Sequence, residues 1–141
     1  MEIKFKNMID VETYNKLRET VGWNPLAPQQ AQRGLEHSYC IVAEAEHKTA
    51  GMLRILSDNG YMAFIADVMV FPEYQGKGIG TALMEKAMDH IRTESRGLTV
   101  IINLMAVQGK ESFYTKFGFI ERPNSSDGAG MHQWINPFEK K

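Results

Sequence analysis

Ile3-Lys4-Phe5-Lys6 alternates apolar and polar positions with the period of a short strand. Tyr14, Leu17, Arg18 and Val21 then recur at helical spacing, and Asp10 stands where it can cap a helix running roughly from Val11 to Val21. Gly22-Trp23-Asn24-Pro25 ends that helix, and Pro28 opens a second, short one through Gln29, Ala31 and Leu35. Residues 38–45 and 50–57 read as strands joined by a turn around His47-Lys48, and Asp58-Asn59-Gly60 is a hairpin signal leading into a strand over 61–71. Between Phe64 and Phe71 both alternating sets are largely apolar, which predicts a central strand covered on both faces, with Asp67 as the exception.

Ile79, Leu83, Ala87 and Ile91 form one row of a helix over 78–94, closed by Gly97. A buried strand is expected over 98–105, and a short helix over 111–117 that Gly118 stops. Phe119-Ile120 should start a strand and residues 131–135 should form the last one, with a polar, glycine-rich loop over 123–130 between them. The predicted order is β-α-α-β-β-β-α-β-α-β-β: an α/β fold with a mixed sheet and helices on both faces, expected as one domain over residues 1–141.

Composition narrows the functional classes. Net charge of −1 argues against nucleic acid as the main partner, because phosphate-backbone binders are usually clearly basic. Without an 18-residue apolar run or a hydrophobic signal region, the chain is expected to be cytoplasmic and to have no membrane partner. The single Cys40 lies inside Tyr39-Cys40-Ile41-Val42-Ala43 and reads as a buried structural thiol. No spacing of His, Cys, Asp and Glu suggests a metal site.

The segment from Phe71 to Thr81 carries the most chemistry. Gly76, Gly78 and Gly80 alternate at the passage from a strand into a helix N-terminus, beside Lys77. Glycines let a ligand approach the backbone, and the first helical N–H groups favour negative charge, so the turn suits phosphate. A Walker loop is absent, since no stretch reads Gly-x-x-x-x-Gly-Lys-Ser/Thr. A dinucleotide fingerprint starting at Gly76 would need glycine where Thr81 stands, and the expected acidic residue is missing from the strand Val100-Ile101-Ile102-Asn103-Leu104.

Gln75-x-x-Gly78-x-Gly80, with Val70 and Pro72 ahead and Leu83-Met84 behind, resembles the pyrophosphate loop of the Gcn5-related N-acetyltransferases, the GNAT family. Phe113-Tyr114-Thr115-Lys116-Phe117-Gly118-Phe119 resembles the family's later helix, and Leu17-Arg18 with Val21-Gly22-Trp23 its first helix and acceptor-side loop. The resemblance implies a mostly antiparallel sheet splayed at its middle, with acetyl-coenzyme A (acetyl-CoA) as co-substrate in the gap. It assigns cofactor contacts to Met69, Val70, Gln75, Gly76, Lys77, Gly78, Ile79, Gly80 and Thr81. It places an oxyanion-binding backbone N–H near Met69 and Val70, on a strand edge that pantetheine pairs with. Tyr114 matches the tyrosine that protonates the leaving thiolate.

The sequence departs from the family in one place. Many members carry Asn seven residues before that tyrosine, and Val107 stands there instead. Either Gln108 substitutes for it, or Gly109 lets the backbone approach and Lys110 meets the phosphates.

The general base is less marked. Asp67 either pairs with a cation such as Arg54 or faces the acceptor as base; Glu44, His37 and His132 are weaker candidates. Trp23, Tyr39, Met131 and Trp134 are candidate walls of an apolar acceptor pocket. Strand alternation puts Met131 and Gln133 on one face, the one chosen for substrate. The expected activity is acetyl transfer to the primary amine of a small aralkyl or aliphatic molecule by direct attack, with a homodimer possible. A protein or peptide acceptor, or a non-catalytic acyl-CoA-binding module, is the alternative.

Overall fold

In the computed structural model, residues 1–136 are described, and they fall into two compact units divided between Leu104 and Met105. The first unit contains β1 (Ile3–Lys6), α1 (Val11–Thr20), α2 (Pro28–Glu36), β2 (Tyr39–Ala45), β3 (Lys48–Ser57), β4 (Met62–Val70), a 3₁₀ turn (Pro72–Tyr74), α3 (Ile79–Ser95) and β5 (Ile101–Leu104). The strands lie side by side in chain order, antiparallel from β1 to β4 and parallel between β4 and β5.

Local chemistry sets the boundaries. Asp10 caps α1 by accepting hydrogen bonds from the Thr13 amide (2.9 Å) and hydroxyl (2.8 Å), and this bonding lowers its carboxyl pKa. Asp58 organises the β3–β4 turn, its Oδ1 accepting from the amides of Gly60, Tyr61 and Met62. The β2–β3 turn centres on Glu46 and His47, one residue earlier than the sequence suggests. Both are left-handed (φ 53° and 64°), the conformation a two-residue hairpin needs to match strand twist.

The sheet is covered on both faces. On one, Cys40, Val42, Met52 and Met69 pack with Tyr14 and Leu17 of α1 and Ala31 and Leu35 of α2. On the other lies α3, whose buried row is Ile79, Leu83, Met84, Ala87 and Ile91. Ile55 and Ala63 there share a cleft with His90 and Ile91.

The apolar alternation of β4 is broken at Asp67. Met52 pairs with Met69 and Arg54 with Ala66, so Leu53 alone stands opposite both Asp67 and Val68. This is a β-bulge, and Asp67 occupies it with φ 55°. Ile65 pairs with Ile55 on the α3 side, whereas Met69 packs with α1 and α2, although strict alternation would give them one face. The β5 ladder ends at Ile65↔Leu104, immediately before the bulge, so β4 continues from Ala66 to Val70 beyond the last β5 pair. Beyond Ile65 this edge of β4 has no β5 partner.

β5 is shorter and less buried than the strand expected over 98–105; Leu98 is 73% exposed and Ile101 38%. As an edge strand it pairs on one side only. In the second unit α4 spans Glu111–Thr115, and Gly118 follows it in a left-handed turn (φ 91°). The strands expected at 119–120 and over 131–135 are not formed. Ile120, Met131, Trp134 and Ile135 are 77–89% exposed, and alternation alone supplies no partner for their backbone. The loop over 123–130 is built as expected around Asn124, whose Oδ1 accepts from the amides of Ser126 and Asp127.

Gly51 sits opposite Val70, and a Cβ there would lie 2.6 Å from the Met69 carbonyl oxygen. Gly51→Ala should therefore push β4 away from β3 and cost about 1–3 kcal/mol of stability, read by denaturant unfolding. An unchanged unfolding midpoint would show that this close approach is not needed.

Candidate active site

At the end of β4 the chain turns through Pro72–Tyr74 and enters α3 across Gly76 (φ 75°) and Gly78 (φ 82°). Left-handed backbone explains glycine at both positions. A Cβ built on either would meet nothing within 4 Å, so the turn has open space where a side chain would otherwise project. The first α3 amide bonded in the helix pattern is that of Ala82, to the Gly78 carbonyl (3.0 Å). The amides of Ile79, Gly80 and Thr81 precede it and stand at the positive end of the helix dipole. Ile79 buries its side chain completely, leaving its N–H as the group it can offer a ligand. Free helical amides beside open space are an arrangement that suits an anionic group.

Two side chains of the turn are already engaged. Gln75 Nε2 donates to the Val70 carbonyl (2.9 Å), tying the turn to the end of β4. The Lys77 ammonium lies 5.7 Å from the centre of the Tyr74 ring, a cation–π contact at the mouth of the turn. Met69 is likewise buried in the core, so it too would meet a cofactor through its backbone.

Asp67 is paired, the first of the two possibilities left open by the sequence. Its Oδ2 accepts from Arg54 Nε (2.6 Å) and from the Tyr14 hydroxyl (2.5 Å). Both charged side chains are mostly covered, at 10% exposure for Asp67 and 19% for Arg54. Burial, the largest influence, lowers the Arg54 pKa, but the Asp67 charge and its hydrogen bond, with smaller help from Tyr14 and Cys40, together outweigh it and the net shift is upward. Burial raises the Tyr14 pKa, and its bond to the carboxylate adds to the effect. Arg54 also reaches the Gly34 carbonyl (3.4 Å) and Ser38 Oγ (3.5 Å) on the α2 side. Asp58, a second conceivable partner for Arg54, is engaged in its own turn.

Tyr14 is the member that the sequence does not reveal. Its place in the α1 row marks it as core, and nothing in that spacing signals what its hydroxyl meets 53 residues later. Trp23 packs against the same core, with the Arg18 guanidinium 5.5 Å from its ring centre and 5.9 Å from that of Tyr14.

Other candidates separate. Tyr39 stacks on His90 (3.7 Å between ring centres) on the α3 face, so it cannot share an acceptor wall with Trp23. Their cleft, about 490 Å³, lies by the C-terminal end of α3, away from the glycine turn. Glu44 pairs with Lys6 (3.1 Å), and His37 Nδ1 contacts the Arg33 carbonyl (2.8 Å). Cys40 is buried, which raises its thiol pKa. No group of His, Cys, Asp and Glu among the described residues is placed to hold a metal ion. No helix among the described residues is long and apolar enough to cross a membrane.

In the second unit, the Tyr114 ring meets those of Phe113 (5.0 Å) and Phe119 (6.4 Å) edge-on, and Phe113 meets Phe117 (5.5 Å). Burial raises the Tyr114 pKa, which keeps the phenol protonated. Lys110 is the N-cap of α4, its amide bonded to the Val107 carbonyl (2.9 Å), and Gly109 before it is left-handed (φ 89°). Gln108 and Gln133 are exposed, as are Met131 (87%) and Trp134 (84%), and His132 packs edge-on to Trp134 (6.4 Å).

The family model of the acetyltransferase (GNAT) domain matches residues 36–121. Soybean histone acetyltransferase TAP1 is 31% identical over 141 residues, covering 90% of this chain and 60% of the relative. Rice chloroplastic serotonin N-acetyltransferase 2 is 28% identical over 130 residues, covering 89% and 64%. Among solved structures, a GNAT-family acetyltransferase from Streptococcus pneumoniae superposes with a TM-score of 0.76 at 27% identity, covering 96% of this chain and 98% of that one. With the family model spanning more than half of its length, this chain belongs to the GNAT family and is an acyltransferase of that type.

Proposed function

We propose that the chain moves acetyl from acetyl-CoA to the primary amine of a small aralkyl or aliphatic molecule, by direct attack in a ternary complex. The observation that carries the donor half is the open left-handed turn at Gly76 and Gly78 on the N-terminus of α3, set beside the part of β4 that outruns β5. In this reading the amides of residues 76–81 and Lys77 hold the pyrophosphate, with Gln75 as brace. Backbone groups of Met69 and Val70 align pantetheine and receive the developing oxyanion. Gln108 and Lys110 add cofactor contacts. The amine nitrogen bonds to the thioester carbon and releases one proton to solvent, the C–S bond breaks, and the Tyr114 hydroxyl protonates the departing sulfur. Its raised pKa supports that role.

Relatives named for serotonin and for histones show that the family spans both acceptor types. We favour a small amine because Trp23 offers a partly buried aromatic wall beside Tyr14 and Arg18. Met131 and Gln133 complete the acceptor assignment.

Gly78→Asp should abolish acetyl-CoA binding by calorimetry, because it adds a side chain and a negative charge to a left-handed position. Unchanged affinity would remove the turn from the cofactor site. Tyr114→Phe should keep that affinity while lowering turnover roughly 10²- to 10⁴-fold. Turnover within a factor of two of wild type would reduce Tyr114 to packing. A panel of amines and peptides, assayed for coenzyme A release, should favour aralkyl or aliphatic amines, and Met131→Ala should change their ranking. Preference for a peptide would replace the small-amine acceptor.

A further inference from the structure

We infer that Asp67 is a positioning residue for acetyl transfer: gripped by Arg54 and Tyr14, its carboxylate holds the β4 bulge in the shape that aims the backbone of Val68–Val70. The inference rests on the proposed placement of the thioester beside that backbone. It assigns linked roles to Tyr14 on α1 and Arg54 on β3.

The bulge is not explained by its backbone alone. A non-glycine residue at φ 55° is uncommon, although Asp and Asn tolerate the left-handed region better than other side chains. Here it is held from two directions. Arg54 reaches Oδ2 from the neighbouring strand, one position from Leu53, the residue that faces the bulge alone. Tyr14 reaches the same oxygen from the helix layer above. Tyr14 is 1% exposed, so its ring has little room to shift and the hydroxyl is a fixed donor. Arg54 is fixed in turn by the Gly34 carbonyl and Ser38 Oγ, so the grip extends to α2.

The same bulge decides where the rest of β4 points. It turns Met69 toward α1 and α2, and it lies just past Ile65, the last β4 residue paired with β5. On the far side the Met69 carbonyl is pressed against Gly51, and the Val70 carbonyl takes the Gln75 amide. Residues 68–70 are therefore fixed at both ends, by the carboxylate before them and by Gly51 and Gln75 after them. A peptide plane rotated at Asp67 would move each following amide away from its alignment. Oxyanion donors act only when aimed within a narrow range of distance, so a small rotation costs turnover more than it costs binding.

The test compares Asp67→Asn and Tyr14→Phe with wild type. Asn keeps the tolerance for left-handed backbone and removes the charge; Phe keeps the packed ring and removes one donor. We expect Asp67→Asn to lower kcat at least tenfold with both substrates saturating, while acetyl-CoA affinity by calorimetry stays within about threefold. Tyr14→Phe should show a smaller loss of the same kind, and the pH profiles of kcat should run parallel to that of wild type. Amide hydrogen exchange over residues 66–71 should be faster in both variants.

A general base would behave differently. Asp67→Asn would then change the shape of the pH profile, and Tyr14→Phe would leave β4 exchange as it was; that result overturns positioning. Loss of stability in either variant with full kcat in the folded protein also overturns it, leaving a purely structural pair. A wild type inert with every amine, or unable to bind acetyl-CoA, defeats the proposed function instead. The exchange arm then still decides whether Asp67 and Tyr14 hold the bulge.

Discussion

A carboxylate at 10% exposure in a sheet must have its charge answered, and the answer given to Asp67 organises much of this protein. One oxygen collects a guanidinium from β3 and a phenol from α1, linking the sheet to the helices above it. The bulge at that point redirects β4 just beyond its last pair with β5. The proposed acetyl site lies along that redirected segment. The burial of Met69 and the fit of Gly51 against its carbonyl belong to the path β4 takes afterwards.

The glycine turn works on a separate constraint. Its two left-handed residues and the amides of residues 79–81 are set by the start of α3, not by the Asp67 cluster. The two parts meet at one hydrogen bond, from Gln75 to the Val70 carbonyl. In the proposed function this bond would couple the binding of phosphate to the alignment of the thioester.

Elements with strong period or punctuation were legible in the chain. Asp10, Pro28, the α3 row and Asp58-Asn59-Gly60 each carry their signal within a few residues, and each stands close to where it was expected. The glycine turn was legible for the same reason. Alternation sufficed at Ile3–Lys6, where β2 supplies a partner, and failed near the C-terminal end. Residues 131–135 have the right pattern but no partner strand, and ladder pairing is not written in local sequence. The β4 bulge was hidden because apolar residues on both sides of Asp67 look alike whichever face they take. Arg54 could be named as a partner from strand proximity, whereas the Tyr14 hydroxyl could not, being 53 residues from the carboxylate it meets.

The origin of Tyr14 bears on how the site comes into being. The family model begins at residue 36, yet α1, which lies before it, supplies one of the two donors on Asp67. A segment from 36 onward would contain the glycine turn, β4 and Arg54, but would lack that donor and the layer that buries Met69. Contacts so distant along the chain are expected to close late, after local hairpins and helices have formed. The strand proposed to handle the acetyl group would then take its final shape only when the N-terminal helix docks, making completion of the proposed site one of the last events of folding.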